Sequence, residues 1–225
     1  MADFTFAHRK EGFDTHIEKS IRGYSDLVND VISLSRYFVE DFTNVVDIGC
    51  STGKMLESMQ DNNKDFAPMA EYIGVENAEG FRDSMKERVN RDNHLDLVFN
   101  DIRDYTFENC SLITSLFTLQ FMPKRDRQEV IEKIYDGLNP DGAFIFAEKI
   151  VAENSRIQEM MTFNFYDFKR KNFSTDDIMD KEKTLRSMLK PNTWEELVDM
   201  LDIAGFHTIQ PFWQNHMFMG AVVIK

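Results

Sequence analysis

Cysteine is scarce in this chain of 225 residues, because Cys50 and Cys110 are the only two. Two cysteines are too few for a disulfide framework, so the composition favours a reduced, cytoplasmic protein. The first residues lack a basic segment followed by an apolar core, and we predict no signal peptide. No apolar run approaches the roughly 20 residues that span a bilayer, so we also predict no membrane contact.

Positive charge is also in short supply. Lysine and arginine number 26 against 39 aspartates and glutamates, which gives a net charge of −13 and a pI near 4.8. Because nucleic acids are bound by neutralising phosphates, this balance argues against direct, extensive contact with DNA or RNA. The five histidines lack the close spacing of metal ligands, and we predict no metal site.

Apolar residues, in contrast, make up 42% of the chain, and 20 of them are phenylalanine. This content predicts a packed globule whose aromatic side chains fill a core or an interface. The length fits one domain, residues 1–225. Residues 1–39 are predicted to form an N-terminal lid over the site. Residues from about 151 to 190 are predicted to form a helical insertion that caps the site or makes a homodimer.

Strand and helix patterns alternate along the first 150 residues. This order predicts an α/β fold with a Rossmann-like sheet of seven strands, mostly parallel, whose last strand is antiparallel. The predicted strands are residues 44–48, 72–75, 95–99, 111–118 and 143–147, with a terminal hairpin at 206–210 and 218–224. The predicted helices are residues 24–39, 54–59, 79–89, 127–138, 153–171, 175–189 and 194–204, with a turn at 139–142.

A glycine turn after the first strand carries the strongest functional signal. Residues 44–53, Asn-Val-Val-Asp-Ile-Gly-Cys-Ser-Thr-Gly, run from an apolar strand into an amphipathic helix, and Glu76 ends the second strand. Small residues let the backbone approach a nucleotide-like ligand, and a carboxylate binds ribose hydroxyls. With Asp47 before the turn and no G-x-G-x-x-G, the pattern predicts a site for S-adenosylmethionine (SAM) rather than for a dinucleotide.

The same turn admits two other interpretations. An ordinary strand-to-helix turn stays open. A phosphate-binding loop is excluded, because only three residues separate Gly49 from Gly53 and because Met55 stands where that loop needs serine or threonine after lysine.

Residues after the third strand add a weaker signal. Asp101 can accept a hydrogen bond from an adenine amino group while Ile102 packs on the ring, since strand ends meet at one edge of the sheet. On local sequence alone, a charged loop with an Asp–Arg pair is the better interpretation. Neither Tyr24 nor Arg186 would be chosen from its surroundings alone, because such residues usually pack or stay solvated.

Longer motifs bring in a family resemblance that runs nearly from end to end. The chain resembles the carboxy-S-adenosyl-L-methionine (carboxy-SAM) synthases, enzymes of the class I methyltransferase fold that serve bacterial tRNA wobble-uridine modification. The most specific motifs are Phe-Thr-Leu-Gln-Phe at 117–121, Asp-Phe-Lys-Arg at 167–170 and Arg-Ser-Met-Leu at 186–189; Glu148-Lys149 also matches.

The resemblance implies a reaction, ligands and site residues. Family members transfer the carboxyl group of prephenate to the methyl carbon of SAM, giving carboxy-SAM and phenylpyruvate, and they are dimeric. Arg186 falls on the position that pairs with the new carboxylate, where a planar guanidinium suits bidentate binding. The positions implied to contact the cofactor are Tyr24, Gly49, Cys50, Ser51, Glu76, Asn77, Asp101, Ile102 and Arg186.

The chain departs from the family pattern at three places. Glu76 stands where the family usually has aspartate, and Leu116 stands where it usually has asparagine. The segment between Leu189 and Trp194 is shorter. Two hypotheses besides a carboxy-SAM synthase stay open: an ordinary SAM-dependent methyltransferase with a small acceptor, and a binding protein for SAM or carboxy-SAM without catalysis, which Leu116 in place of asparagine leaves open. Arg186 separates a carboxy-SAM synthase from an ordinary methyltransferase, which needs no cation beside the methyl group.

Overall fold

The computed structural model describes residues 12–89 and 94–225. The strands are β1 (Asn44–Ile48), β2 (Glu71–Glu76), β3 (Leu95–Phe99), β4 (Cys110–Leu116), β5 (Leu138–Lys149), β6 (Thr208–Asn215) and β7 (Phe218–Ile224). They form one sheet in the order β3-β2-β1-β4-β5-β7-β6. Only β7 runs antiparallel to its neighbours, β5 and β6. The predicted α/β class and the mostly parallel sheet of seven strands, with its last strand antiparallel, are confirmed.

Helices cover both faces of this sheet. They are α1 (Phe13–Ser20), α2 (Tyr24–Ser35), α3 (Lys54–Asn63), α4 (Arg82–Val89), α5 (Lys124–Gly137), α6 (Ser155–Lys169), α7 (Thr175–Leu185) and α8 (Trp194–Ala204). Alternation along β5 sends Phe144 and Phe146 into the core under α5 and α8. Ile145, between them, packs in the opposite core with α2 and α3.

Two predicted boundaries around β4 and β5 are wrong, for backbone reasons. β4 ends at Leu116 rather than at residue 118, because Phe117 has φ 59° and leaves the extended conformation. The turn predicted at 139–142 lies within β5, which begins at Leu138. There Asp141 has φ 64°, and the register with β4 shifts between Cys110 and Leu112, as in a bulge.

Further predictions misplace element ends: α3 continues to Asn63 instead of residue 59, and α5 begins at Lys124 instead of residue 127. Helix α2 stops at Ser35, four residues early, and α7 stops at Leu185 instead of residue 189. The first hairpin strand is β6, which begins two residues late and continues to Asn215. The register of its pairing with β7 shifts between Pro211 and Trp213. The sequence pattern did not show the full length of β6, because proline lacks the N–H that a ladder needs and argues against a strand.

Capping residues set the start of the two helices that follow β5. The Asn154 side chain accepts from the backbone N–H groups of Arg156 and Ile157 at the start of α6. Ser174 and Asp177 form a reciprocal capping box at the start of α7. The two helices follow one another with no strand between them, in the segment predicted as a helical insertion. Of the predicted lid, residues 1–11 lie outside the described residues, and α1 and α2 follow.

Candidate functional site

A cavity of ≈ 830 Å³ opens at the carboxyl edge of the parallel strands. Its wall includes Ser51 after β1, Glu76 at the end of β2, Asp101 after β3 and Phe117 after β4. A smaller pocket of ≈ 170 Å³ adjoins it and shares Gly49 and other lining residues. Pockets for small molecules usually enclose about 300–1,000 Å³, so the larger cavity has room for a ligand of nucleoside size and for a second molecule.

The glycine turn needs glycine for two separate reasons. Gly49 has φ 71°, a left-handed conformation that side chains disfavour. A Cβ at this position would also lie 2.2 Å from Thr118 Oγ1 and 2.9 Å from Thr118 Cβ. The N–H of Gly49 donates to the carbonyl of Val75 at 2.7 Å, which joins the turn to the end of β2.

Glu76, at the end of the neighbouring strand β2, holds this turn in place through hydrogen bonds to its carboxylate. One carboxylate oxygen accepts from the N–H of Ser51 at 3.0 Å, and the other accepts from Asn77 and Ala78 at 2.9 and 2.8 Å. Burial raises the pKa of Glu76, although these three donors act in the opposite direction. A carboxylate offers about four lone-pair sites, and the backbone takes three. About one therefore remains for a ligand hydroxyl.

Asp101 forms the pair with Arg103 that the charged-loop interpretation expected, and the pair lies in the cavity wall. Asp101 accepts from the Arg103 guanidinium at 2.7 and 2.9 Å, and this contact lowers the pKa of the carboxyl. Ile102, beside it, is buried and also lines the cavity. Both predicted adenine-contacting residues are thus at the same end of the cavity as Glu76 and Asn77.

The smaller pocket is rich in carboxylates. Asp14 and Glu18 of α1 line it together with Asp47, a buried residue of β1. Asp47 accepts from Thr114 Oγ1 at 2.7 Å, and burial raises its pKa to about 7. Such a pocket suits a cation, such as the ammonium of an amino acid.

Tyr24 and Cys50 also line the smaller pocket. The Tyr24 ring lies 6.2 Å from that of Phe117, and burial raises the pKa of its hydroxyl. Burial also raises the pKa of the Cys50 thiol well above its ordinary value, so the thiol stays protonated. Cys50 packs against Gly74, where a Cβ would lie 2.6 Å from its sulfur.

Arg186 is the predicted site residue that the fold does not bring to these cavities. It is exposed, directly after α7, and its N–H donates to the carbonyl of Glu182. The other eight predicted residues line one or both cavities: Tyr24, Gly49, Cys50, Ser51, Glu76, Asn77, Asp101 and Ile102. The role of each of the nine residues stays a prediction.

A buried network holds the segment after β4, and local sequence patterns missed it. Glu148, at the end of β5, accepts from the N–H groups of Leu119 and Gln120 at 3.0 and 2.7 Å. Burial raises the pKa of Glu148 to about 8. Arg127 is fully buried and donates to the carbonyls of Gln120 and Met122. These bonds place the Phe-Thr-Leu-Gln-Phe motif in the cavity wall.

The available signal for this network was Glu148-Lys149, a charged pair that directly follows the apolar run of β5. A charge in such a place calls for buried partners, because an unpaired buried carboxylate is costly. The sequence did not show which partners were near.

Neither a metal centre nor a membrane span was found in the part of the chain that the structure describes. Residues 12–89 and 94–225 contain no group of three or more His, Cys, Asp or Glu side chains that could hold a metal ion. Over the same ranges, the helices are too short or too polar to cross a bilayer.

Comparisons with known proteins agree with this architecture. Residues 45–142 match the family model of a methyltransferase domain. Magnesium protoporphyrin IX methyltransferase from Synechocystis, solved with bound S-adenosylhomocysteine, superposes with a TM-score of 0.62 at 11% identity over 93% of this chain and 87% of that chain. Human N-acetylserotonin methyltransferase, solved with SAM, gives 0.57 at 15% identity over 88% and 52%. At these identities the likeness shows the fold alone, and it confirms a class I methyltransferase fold.

Sequence relatives are much closer. A carboxy-SAM synthase from Staphylococcus epidermidis is 36% identical over 214 residues, which cover 95% of this chain and 92% of the relative. The enzyme of the same name from Shewanella baltica is 35% identical over 230 residues, 100% of this chain and 94% of the relative. The predicted resemblance is thereby confirmed, and this chain, a transferase of the methyltransferase fold, belongs to the carboxy-S-adenosyl-L-methionine synthase family.

Proposed function

We propose that this protein transfers the carboxyl group of prephenate to the methyl carbon of SAM, and that the carboxy-SAM so made serves tRNA wobble-uridine modification. The observation that carries the proposal is the similarity, over nearly the whole chain, to relatives named carboxy-SAM synthases. The cavity adds support, because its volume leaves room for a second molecule beside a nucleoside.

The proposed reaction balances without an external oxidant or metal. Prephenate loses its ring carboxyl group and its ring hydroxyl, and the ring becomes aromatic, which gives phenylpyruvate. The methyl carbon of SAM loses one proton and forms a bond to the carboxyl carbon. The proton and the hydroxyl leave together as water. The net change in SAM is the addition of one CO₂.

The residues around the two cavities fit the three parts of SAM. Glu76 has about one lone-pair site left for a ribose hydroxyl. Asp101 and Ile102 offer an acceptor and an apolar surface for adenine. Asp47, with two further carboxylates in the smaller pocket, suits the ammonium of the methionine part. When bound, SAM supplies an acidic methyl group beside its sulfonium.

We propose that Arg186 pairs with the carboxylate of carboxy-SAM, as the family motif implies. Arg186→Ala should then cost about 2–5 kcal/mol in carboxy-SAM affinity, the penalty of leaving a desolvated carboxylate unpaired. SAM lacks that carboxylate, so its affinity should change little, and Arg186→Lys should rescue only in part because the planar fork is lost. Calorimetric titration of both ligands into the wild type and the variants measures this.

The position of Arg186 makes this test decisive. An exposed ion pair contributes at most about 1 kcal/mol, so a loss of that size would leave Arg186 a surface residue. Equal losses for SAM and carboxy-SAM would also remove the proposed role.

An ordinary SAM-dependent methyltransferase is the second candidate, and the exposure of Arg186 outside both cavities favours it. Mass spectrometry of the ligand that co-purifies with the protein separates the two. Carboxy-SAM exceeds SAM by about 44 mass units, the mass of one CO₂, and it should also appear when the protein is incubated with SAM and prephenate. A methylated acceptor and no carboxy-SAM would support the second candidate.

We also propose a homodimer that acts without direct nucleic-acid or membrane contact. Ile157, Met160 and Phe163 of α6 are exposed at spacings of three residues, which gives one apolar strip on the insertion. Light scattering after size exclusion would report the subunit number, and Met160→Glu should lower it if this strip lies in the interface.

A further inference from the structure

Three lysines line the large cavity on the side away from Glu76 and Asp101. We propose that Lys149, Lys169 and Lys181 form an anion subsite that binds the carboxylates of the carboxyl donor, a dicarboxylate with a ring. The inference rests on the proposed function for the identity of the donor. It assigns to these three side chains a binding role that the glycine turn and Arg186 do not supply.

The lysines come from three elements that meet over the carboxyl edge of β5. Lys149 is the last residue of β5, Lys169 is the last of α6, and Lys181 lies within α7. All three line the cavity, with Glu182 as the acid among them. The three lysines therefore come together only when the helical insertion packs against the sheet.

Lys169 is buried to a degree that is unusual for lysine, and Lys149 and Lys181 are partly buried. Lys169 is only 3% exposed, and its ammonium lies 3.8 Å from Glu182 and 5.1 Å from the centre of the Phe165 ring. The ammonium of Lys181 lies 2.8 Å from Nε2 of His16. Lysine is almost never fully buried unless it is paired, and here three lysines line the same cavity.

Lys149 identifies the face that a ligand would meet. No side chain of residues 12–89 or 94–225 forms a hydrogen bond or ion pair with its ammonium, although the residue is largely buried. Desolvation lowers the pKa of Lys149, and only the more distant charge of Glu182 acts against this. A carboxylate in the cavity would give the ammonium the partner that the protein lacks.

The sheet order separates this subsite from the part of the site assigned to SAM. Glu76 and Asp101 follow β2 and β3, Lys149 ends β5, and β1 and β4 lie between them. The apolar side chains of Phe121, Phe165 and Phe218 line the same cavity. Lysines beside aromatic side chains suit a ligand that carries carboxylates on an apolar ring, and would hold it apart from the nucleoside.

Binding and turnover can be measured separately in neutral variants. Lys149→Gln and Lys181→Gln should each raise the KM for prephenate roughly tenfold or more, as expected for losing a charge-assisted hydrogen bond. They should weaken calorimetric binding of 2-phenylsuccinate to the SAM-loaded protein by a similar factor. This dicarboxylate carries a phenyl ring and has no carboxyl group that is readily lost, so its binding needs no reaction. SAM affinity should change less than twofold.

Lys183→Gln is the matched control, because Lys183 lies on α7 beside Lys181 but is exposed and pairs with Asp180 at the surface. It should change neither KM nor phenylsuccinate binding. Lys149→Arg, which keeps the charge, should retain more binding than Lys149→Gln. Variants that keep the SAM affinity of the wild type decide the question, since they are folded.

Each outcome separates the subsite from the proposed function. Lysine-dependent phenylsuccinate binding in a protein that makes no carboxy-SAM from prephenate would keep the subsite and overturn the proposed reaction. Carboxy-SAM formation with an unchanged KM in Lys149→Gln and Lys181→Gln would overturn the subsite and keep the reaction. Losses of phenylsuccinate binding that are as large in Lys183→Gln would also overturn the subsite.

Discussion

The two ends of the large cavity are built by different means. At the end formed by Glu76 and Asp101, each functional residue directly follows or ends a parallel strand, and backbone hydrogen bonds fix its place. At the other end, Lys149, Lys169 and Lys181 come from one strand and two helices of the insertion. The first end depends on short local segments, whereas the second exists only when distant elements pack together. The first therefore suits a ligand common to many enzymes of this fold, and the second can change with the reaction.

Breaking the first end at its tightest point should give the largest effect. Gly49→Ala combines a left-handed φ, which costs about 1–2 kcal/mol, with overpacking against Thr118, which typically costs about 1–3 kcal/mol. We expect it to lower the free energy of unfolding by about 2–5 kcal/mol and to abolish measurable SAM binding. Urea titration and calorimetry measure the two effects.

Gly53→Ala is the control for that experiment. Gly53 has nearly the same φ, 75°, but its nearest neighbour to an added Cβ is Arg88 Cδ at 3.4 Å. It should therefore cost only the backbone term of about 1–2 kcal/mol. Equal losses at Gly49 and Gly53 would show that contact with Thr118 contributes nothing.

A charge buried beneath the turn should give the next largest effect. The pKa of Asp47 is raised to about 7 in the folded protein from 3.8, so the folded state holds this proton more tightly than the unfolded state. Stability should therefore fall as pH rises from about 4 to about 7. Asp47→Asn keeps an acceptor for Thr114, and its free energy of unfolding should exceed that of the wild type by about 4 kcal/mol at pH 8, at about 1.36 kcal/mol per pKa unit, while the two match near pH 4.

Asp101, whose pKa shifts in the opposite direction, sharpens this comparison. Arg103 lowers the pKa of Asp101, so its contribution is present above the unfolded pKa and is lost as pH falls. Because Asp101 is partly exposed, Asp101→Asn should cost at most about 1 kcal/mol at pH 8. Urea titrations of the ligand-free wild type, Asp47→Asn and Asp101→Asn, near pH 4 and at pH 8, measure these differences in the free energy of unfolding. A wild type whose stability relative to Asp47→Asn does not change with pH would contradict the raised pKa.

The same contrast explains which features the sequence could predict. The succession of strands and helices along the chain, the glycine turn and the place of Glu76 at the end of the second strand follow from local periodicity and spacing, so the sequence predicted them. Phe117 and Asp141 adopt positive φ without being glycine, which is why the end of β4 and the turn in β5 were misjudged. Glu148 accepts hydrogen bonds from residues 119 and 120, which lie 29 and 28 positions before it in the chain, and local sequence patterns hold no information on such contacts.

The end of the cavity formed by the three lysines could not be predicted from the sequence for the same reason. Lys149, Lys169 and Lys181 are ordinary solvated lysines by local sequence, and only the packing of α6 and α7 on the sheet makes them neighbours. Arg186 shows the converse case. A specific family motif marked it, yet in this fold it lies on the surface, because α7 ends one residue before it.

On SAM affinity, a smaller effect than that of Gly49→Ala is expected at Glu76, the residue that joins the turn to the ribose site. Glu76→Ala should weaken SAM binding by about 1.5–3 kcal/mol, as for losing a hydrogen bond to a charged group. Glu71→Ala, at the exposed start of the same strand, should leave SAM affinity unchanged. Glu76→Asp restores the residue usual in the family but is one methylene shorter, so it should lose the contact to Ser51 N–H and fall between the wild type and Glu76→Ala. Calorimetry on the three variants tests this order. SAM affinity equal to wild type in Glu76→Ala would remove Glu76 from the site and leave it as a brace of the turn, since its three backbone donors would then account for its carboxylate.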